Sequence, residues 1–364
     1  MPLRPRASIQ GISPAVHGGI NYAELEELGI APAQIIDFSA NLNPFGPPPG
    51  LREALRSVDF ARYPDSKATE FKRALSTKLG VPLENLLAAS GSTELIYLAA
   101  LAYFEPGDKV LIIKPAFGEY EAASRIAGAS IIEQYLVSTA GFRLDVTETK
   151  ELIQKFQPKG IFINNPHNPT GRYMAQSDME KILHACPDSL VILDEAYIAG
   201  VDNPWSSLGL IRGGNLLVLR SMTKDYALAG LRLGYGVAAP DIINTLSHIQ
   251  PPWSVNAMAQ QAGIFVLSQE KYVRECQVKI KEAKAYLVTE LTRLGLLPLH
   301  SEASFLLVRV GDATEFRRRL LQHKILVRDC TSFGFPNYIR LAPRTMPECQ
   351  RLVKVIKEMQ RVEK

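Results

Sequence analysis

From about residue 51 the chain alternates between short apolar runs and stretches with helical periodicity. The apolar runs are "KVLII" (109–113), "GASIIEQYL" (128–136), "GIFINN" (160–165), "LVILDEA" (190–196) and "NLLVLR" (215–220). Helical periodicity marks 66–79, a segment opening at "SGSTELIYLAALAYF", and 118–127, 147–157, 175–185 and 204–211. Short buried strands separated by helices predict crossover units and a mostly parallel sheet with helices on both faces. Before this region, "HGGINY" and "NLNPFGPPPG" are dense in Gly and Pro, which predicts an irregular arm with one short helix at 21–29. After Pro251-Pro252 the texture changes. Long helices are expected at 256–268 and 270–296. Strands follow in "ASFLLVRV", "KILVRDC" and "NYIRLAP", and a helix closes the chain at 347–362. The expected division is an arm over 1–45 that joins the small domain, a large domain over 46–260, and a small α+β domain over 261–364.

Composition narrows the function classes. The formal charge is +4, from 41 basic and 37 acidic residues, with no dense Lys/Arg stripe to bind nucleic acid. Small anionic ligands fit that balance. Cys186, Cys276, Cys330 and Cys349 lie far apart, with no CxxC pair, so free thiols are expected and no metal site. The basic start "MPLRPRASIQ" lacks the apolar core of a secretory signal, and no window reaches a membrane span, so a cytoplasmic protein is expected.

Four segments carry candidate chemistry. In "SMTKDYALAGLRLGYG" (221–236), Lys224 follows an apolar run and sits among small residues. Structural lysines belong on solvated faces, whereas an amine taken out of water becomes a nucleophile. "LVILDEAYIAG" places Asp194 at a strand end, where open α/β sheets collect ligands; capping or a structural partner is the plain alternative. "NNPHNPTG" (164–171) turns side-chain amides toward the same edge, or is an ordinary loop. "ASGSTE" (89–94) offers N–H and hydroxyl groups to a phosphate at a helix start, or simply caps that helix.

Taken in order, Ser/Thr/Gly, Asn, Asp/Tyr and Ser-x-x-Lys at four strand ends closely resemble the fold type I pyridoxal-phosphate enzymes of the class I/II aminotransferase superfamily, over about residues 37–345. The resemblance implies a large, mostly parallel, seven-stranded-type sheet plus a small α+β domain. It implies that Lys224 forms the Schiff base and that Asp194 pairs with the pyridinium nitrogen. Tyr197 and Asn168 would bond the ring's phenolic oxygen, and Phe117 in "KPAFGEY" would stack on the ring. Ser92, Thr93, Ser221 and Arg232 would hold the cofactor phosphate. Tyr63 in "ARYPD" would reach the neighbouring subunit's cofactor, which implies a homodimer with shared sites. Arg340 in "NYIRLAP" would fork onto the substrate carboxylate.

Within the superfamily, "HGG" at 17–19 and "DFSANLNPFG" at 37–46 resemble the L-threonine-O-3-phosphate decarboxylases of cobalamin biosynthesis. "PPWSVNAMAQ" (251–260) points the same way. Their reaction gives (R)-1-amino-2-propanol O-2-phosphate. Histidinol-phosphate aminotransferases are the competing group. Either substrate carries a phosphate monoester, for which His17, Arg328, Arg344 and the backbone N–H groups of Gly18 and Gly19 are candidate contacts; Asn41 is a further candidate substrate contact. A capped turn is the plain alternative for His17, and a solvated sheet edge for the two arginines. A cofactor-binding regulatory domain, or an aldolase acting on a β-hydroxy amino acid, would share the fold and Lys224. The former is disfavoured because no segment is left for a DNA-binding module.

Overall fold

The computed structural model describes residues 3–12 and 14–362. The arm contributes β1 (Ile36–Asp37). The large sheet comprises β2 (Leu86–Ala89), β3 (Lys109–Lys114), β4 (Ser130–Tyr135), β5 (Gly160–Asn164), β6 (Leu190–Asp194), β7 (Leu216–Ser221) and β8 (Gly234–Ala238). The C-terminal region adds β9 (Leu297–Pro298), β10 (Leu306–Arg309), β11 (Ile325–Leu326), β12 (Arg328–Asp329) and β13 (Tyr338–Leu341).

The large sheet runs β2-β8-β7-β6-β5-β3-β4. All its strands are parallel except β8, which lies antiparallel between β2 and β7. Helices cover both faces, and the strand residues divide between them with period two. Leu111, Ile113, Ile161, Val191, Leu193 and Val218 pack into one core. Val110, Ile112, Phe162, Ile192, Leu217 and Leu219 pack into the other. Burial on both sides explains why these strands read as unbroken apolar runs rather than alternating ones. A third core belongs to the small four-stranded sheet, order β12-β13-β10-β9, and includes Leu306, Val308, Ile339 and Leu341. Phe38 of the arm is buried in that same core, and β1 pairs in parallel with β11.

The pattern misread some elements, each for a local reason. The helix expected from 66 begins at Thr69. Asp65 holds the preceding turn by accepting from the Lys67 and Thr69 amides, and Ala68 stands in the left-handed region at φ 47°. Residues 204–211 form no α-helix; a 3₁₀ segment, Ser207–Gly213, takes their place. β2 ("LLAA") and β8 ("GYGVA") were not anticipated, because Ala and Gly carry little strand preference.

Those small residues serve close approach. A Cβ on Gly234 would lie 2.6 Å from the Ser92 amide nitrogen, 2.8 Å from the Gly91 carbonyl carbon and 2.9 Å from the Arg220 carbonyl oxygen. All three are backbone atoms, so the start of helix Ser92–Tyr103 would have to move off β8. Gly234→Ala is therefore expected to cost about 1–3 kcal/mol, the usual price of overpacking. An unchanged urea midpoint would refute this reading of the contact.

Candidate active site

A cavity of about 480 Å³ opens at the carboxyl edge of the large sheet. Asp194 is the last residue of β6 and lies directly opposite Asn164, the last of β5. Ser221 ends β7, and Lys224 follows in the next turn. Ser92 begins the helix after β2, and Phe117 precedes the helix Gly118–Ala127. Side chains that end or follow five strands thus meet at one edge, because parallel strands all deliver their following loops to the same side.

Asp194 is buried, and its carboxylate accepts from the Tyr120 hydroxyl at 2.7 Å and from the Ala196 amide at 2.9 Å. Burial pushes its carboxyl up, opposed by those hydrogen bonds and by the nearby Lys224 charge. Tyr120 is stacked on Phe162, with ring centres 4.8 Å apart, and meets Phe117 edge-on. The Lys224 ammonium lies 5.7 Å from the centre of the Tyr197 ring. Its loop is tied to the arm: the Asn43 amide donates to the Lys224 carbonyl, and the Asn43 side chain donates to the Asp225 carbonyl, both at 3.0 Å. Ser221 and Thr223 share a 2.7 Å hydroxyl contact beside it. Gly91 at φ 77° lets the Arg232 guanidinium close over the helix start, since a Cβ there would lie 2.8 Å from Arg232 Nη2.

The opposite wall comes from the arm and the small sheet. Arg328 and Arg340 are cross-strand partners in the antiparallel pair β12 and β13. Both are buried, and their hydrogen bonds go to neutral oxygens. Arg328 donates to the Val16 carbonyl and the Ser332 hydroxyl, each at 2.7 Å. Arg340 donates to Asn168 Oδ1 at 2.5 Å and to the Ser39 carbonyl at 2.8 Å. Its Nε is buried without a partner, as are both amide atoms of Asn41. Burial, and after it the Arg340 charge, pulls the Arg328 guanidinium below its ordinary value. Two facing cations repel unless an anion joins them. Gly18 fills the narrow space before them: a Cβ there would lie 2.7 Å from the Ser39 carbonyl and 3.4 Å from Arg340 Nη2.

Most of the residues singled out in the sequence line this cavity: His17, Gly18, Asn41, Ser92, Thr93, Phe117, Asn168, Asp194, Tyr197, Ser221, Lys224, Arg232, Arg328 and Arg340. Three do not. Arg344 is turned away, bonded to Glu348 and to the Asp37 carbonyl, so no arm of it reaches the cavity. Gly19 spends its amide on the Ser39 hydroxyl at 2.8 Å. Tyr63 is exposed and stacked on Trp253, with ring centres 4.4 Å apart. The plain reading of Arg328 as a solvated sheet edge fails, since only 7% of it is exposed. Sequence reasoning missed Tyr120, Glu119, Thr223 and Ser39. Tyr120 sits within the quoted "KPAFGEY", but nothing in that string says it bonds Asp194.

A model of the class I and II aminotransferases matches residues 33–356. The chain belongs to that family. It is 35% identical over 362 residues to a histidinol-phosphate aminotransferase of Moorella thermoacetica, covering 97% of this chain and 92% of that one. It is 33% identical over 349 residues to an adenosylcobalamin biosynthesis bifunctional protein of Leptospira interrogans, covering 93% of this chain and 40% of that protein. Among solved structures, a histidinol-phosphate aminotransferase of Sinorhizobium meliloti in complex with pyridoxal-5'-phosphate superposes with TM-score 0.88 at 23% identity, covering 98% of each chain. An L-threonine-O-3-phosphate decarboxylase of Porphyromonas gingivalis superposes with TM-score 0.79 at 26% identity, covering 90% of this chain and 99% of that one. The protein is thus a fold type I, pyridoxal-phosphate-dependent enzyme. The donor set in the cavity fits that cofactor: an amine, a buried carboxylate, a helix start with hydroxyls, and an arginine beside it. No helix among the described residues is long and apolar enough to cross a membrane.

The loop that carries Asn168 also buries His167, whose Nδ1 meets the Thr170 hydroxyl at 2.9 Å. Burial drives its imidazolium down to about 4, against the pull of the Pro115 and Ile113 carbonyls. A depressed folded value means that stability is complete above the unfolded value near 6.5 and is lost as pH falls from there through 4. The full loss is about 3 kcal/mol for a shift of this size. Urea melts at pH 7 and pH 4.5 should show the wild type losing most of this relative to His167→Asn. Parallel losses in the two proteins would disprove it.

Proposed function

We propose that this enzyme decarboxylates L-threonine O-3-phosphate to (R)-1-amino-2-propanol O-2-phosphate, a building block for cobalamin. The observation that carries the reading is the cross-strand pair Arg328 and Arg340, with Gly18 set against both. One guanidinium suits the substrate carboxylate, and the second suits another anion on the same small molecule. The arm that supplies His17, Gly18 and Asn41 resembles the decarboxylases, and two relatives bear names consistent with this. The names of several other relatives support a second reading, histidinol-phosphate aminotransferase.

The residues divide the work as follows. Pyridoxal phosphate, when bound, supplies an electron sink for the pair left at the substrate Cα. Lys224 would hold the cofactor covalently and carry protons at its Nζ. Asp194, fixed by Tyr120, would pair with the ring nitrogen; Tyr197 and Asn168 would bond the phenolic oxygen, and Phe117 would stack on the ring. Ser92, Thr93, Ser221 and Arg232 would hold the cofactor phosphate. Arg340 holds the substrate carboxylate so that the bond to Cα breaks as carbon dioxide leaves, and a proton takes its place. Arg328, His17 and Asn41 hold the substrate phosphate. Tyr63 reaches the cofactor of a second copy in a homodimer, and its exposure and stacking on Trp253 suit that role.

Incubation with phosphothreonine should release carbon dioxide without any keto acid. Rapid conversion of histidinol phosphate with 2-oxoglutarate, and no gas release, would hand the case to the aminotransferase. Lys224→Ala should lose the visible absorbance of the bound cofactor and nearly all turnover. Arg328→Ala should weaken phosphothreonine by about 1.5–3 kcal/mol, as hydrogen bonds to charged groups do, and leave threonine nearly unaffected. Equal losses on both substrates would remove Arg328 from the phosphate. Heterodimers of Lys224→Ala with Tyr63→Phe should regain activity, and failure to do so would count against a shared site.

A further inference from the structure

Two carboxylates line the cavity, Asp194 and Glu119. Asp194 has its role in the reading above. Glu119 has none, and a carboxylate beside a site for a doubly charged phosphate ester works against binding unless it is committed elsewhere. It is committed through both oxygens. Oε2 accepts from the Tyr97 hydroxyl at 2.6 Å, and Oε1 meets His17 Nε2 at 2.8 Å. Burial, and after it Glu119, pushes the Tyr97 phenol up to about 12, so it stays a donor. The Glu119 side chain is only 12% exposed, against 49% for His17. A mostly buried acid therefore grips a half-exposed ring at the cavity mouth. The ring's second support is Phe117, with centres 5.4 Å apart.

We propose that Glu119, backed by Tyr97, is the positioning residue that orients His17 toward the substrate phosphate and so makes the enzyme prefer a phosphorylated over an unphosphorylated amino acid. This rests on the phosphorylated substrate proposed above. With Nε2 turned to Glu119, Nδ1 is the ring nitrogen left for a ligand, and no described residue bonds it. A carboxylate on one ring nitrogen sets both the ring's orientation and its protonation pattern, as it does for imidazoles that bind metals. Glu119 is the only described residue that hydrogen-bonds the ring, and Phe117 only flanks it, so its orientation depends on that grip.

The test is a double-mutant cycle on the cofactor-loaded enzyme. Glu119→Ala and His17→Ala should each raise KM for phosphothreonine ~10-fold, at the low end for a charged hydrogen bond. The double variant should be no worse than the worse single one, because both remove one interaction. kcat should stay within about threefold, and the cofactor's visible absorbance should not change. Losses that multiply, an unchanged KM in Glu119→Ala, or a loss carried by kcat would overturn the proposal. Calorimetric binding of inorganic phosphate to the same proteins separates it from the substrate reading. If the wild type releases no carbon dioxide, that reading fails alone. A ~10-fold weaker phosphate Kd in Glu119→Ala would then still uphold the role of Glu119, and an unchanged Kd would refute it.

Discussion

Two guanidinium groups face each other across β12 and β13 with only neutral oxygens as partners. Buried like charges cost free energy unless an anion offsets them, so the substrate site proposed above depends on this pair. Each neighbouring feature answers to that constraint. Gly18 lets the arm pass close to the pair, the Val16 and Ser39 carbonyls steer the guanidinium groups, and Asn168 ties Arg340 to the loop after β5. The orphaned amide of Asn41 adds an uncharged donor and acceptor to the same space.

The other wall obeys a different rule. Parallel strands buried on both faces must be apolar throughout, so polar chemistry can appear only where they end. Asn164, Asp194 and Ser221 occupy those ends. The register that pairs Asn164 with Asp194 sets their spacing before any cofactor contact is made. Antiparallel β8 lies between β7 and β2, and its Gly234 lets the start of helix Ser92–Tyr103 approach.

Family membership and reaction are separate questions in this superfamily. The cofactor can assist loss of either a proton or carbon dioxide from Cα, and the choice follows from which bond the enzyme holds perpendicular to the ring. In the reading proposed above, Lys224, Asp194 and Tyr197 would serve either outcome. In that same reading the substrate's second anion is held by residues of the arm and the small sheet, whereas the committed acid Glu119 stands on the helix Gly118–Ala127 that follows β3.

The sequence by itself was enough for the alternation of strands and helices and for the strand-end residues. Those depend on local hydrophobic period and on short strings such as "SMTK" and "LDEA". Even Gly118–Ala127 was legible to the residue, because Gly128 at φ 98° stops it. Three features needed the tertiary structure. The strands β2 and β8 are made of Ala and Gly, whose preference is too weak to read but whose small size is what the packing needs. Arg328 and Arg344 look alike as sequence, yet Arg328 faces the cavity beneath the Val16 carbonyl while Arg344 is taken up by the neighbouring Glu348 and by the Asp37 carbonyl, and both arm carbonyls lie some three hundred residues away in the chain. Tyr120 with Asp194, and Glu119 with Tyr97 and His17, are pairings across different crossovers. No local pattern encodes such a contact, since it exists only once the sheet has brought the loops to one edge.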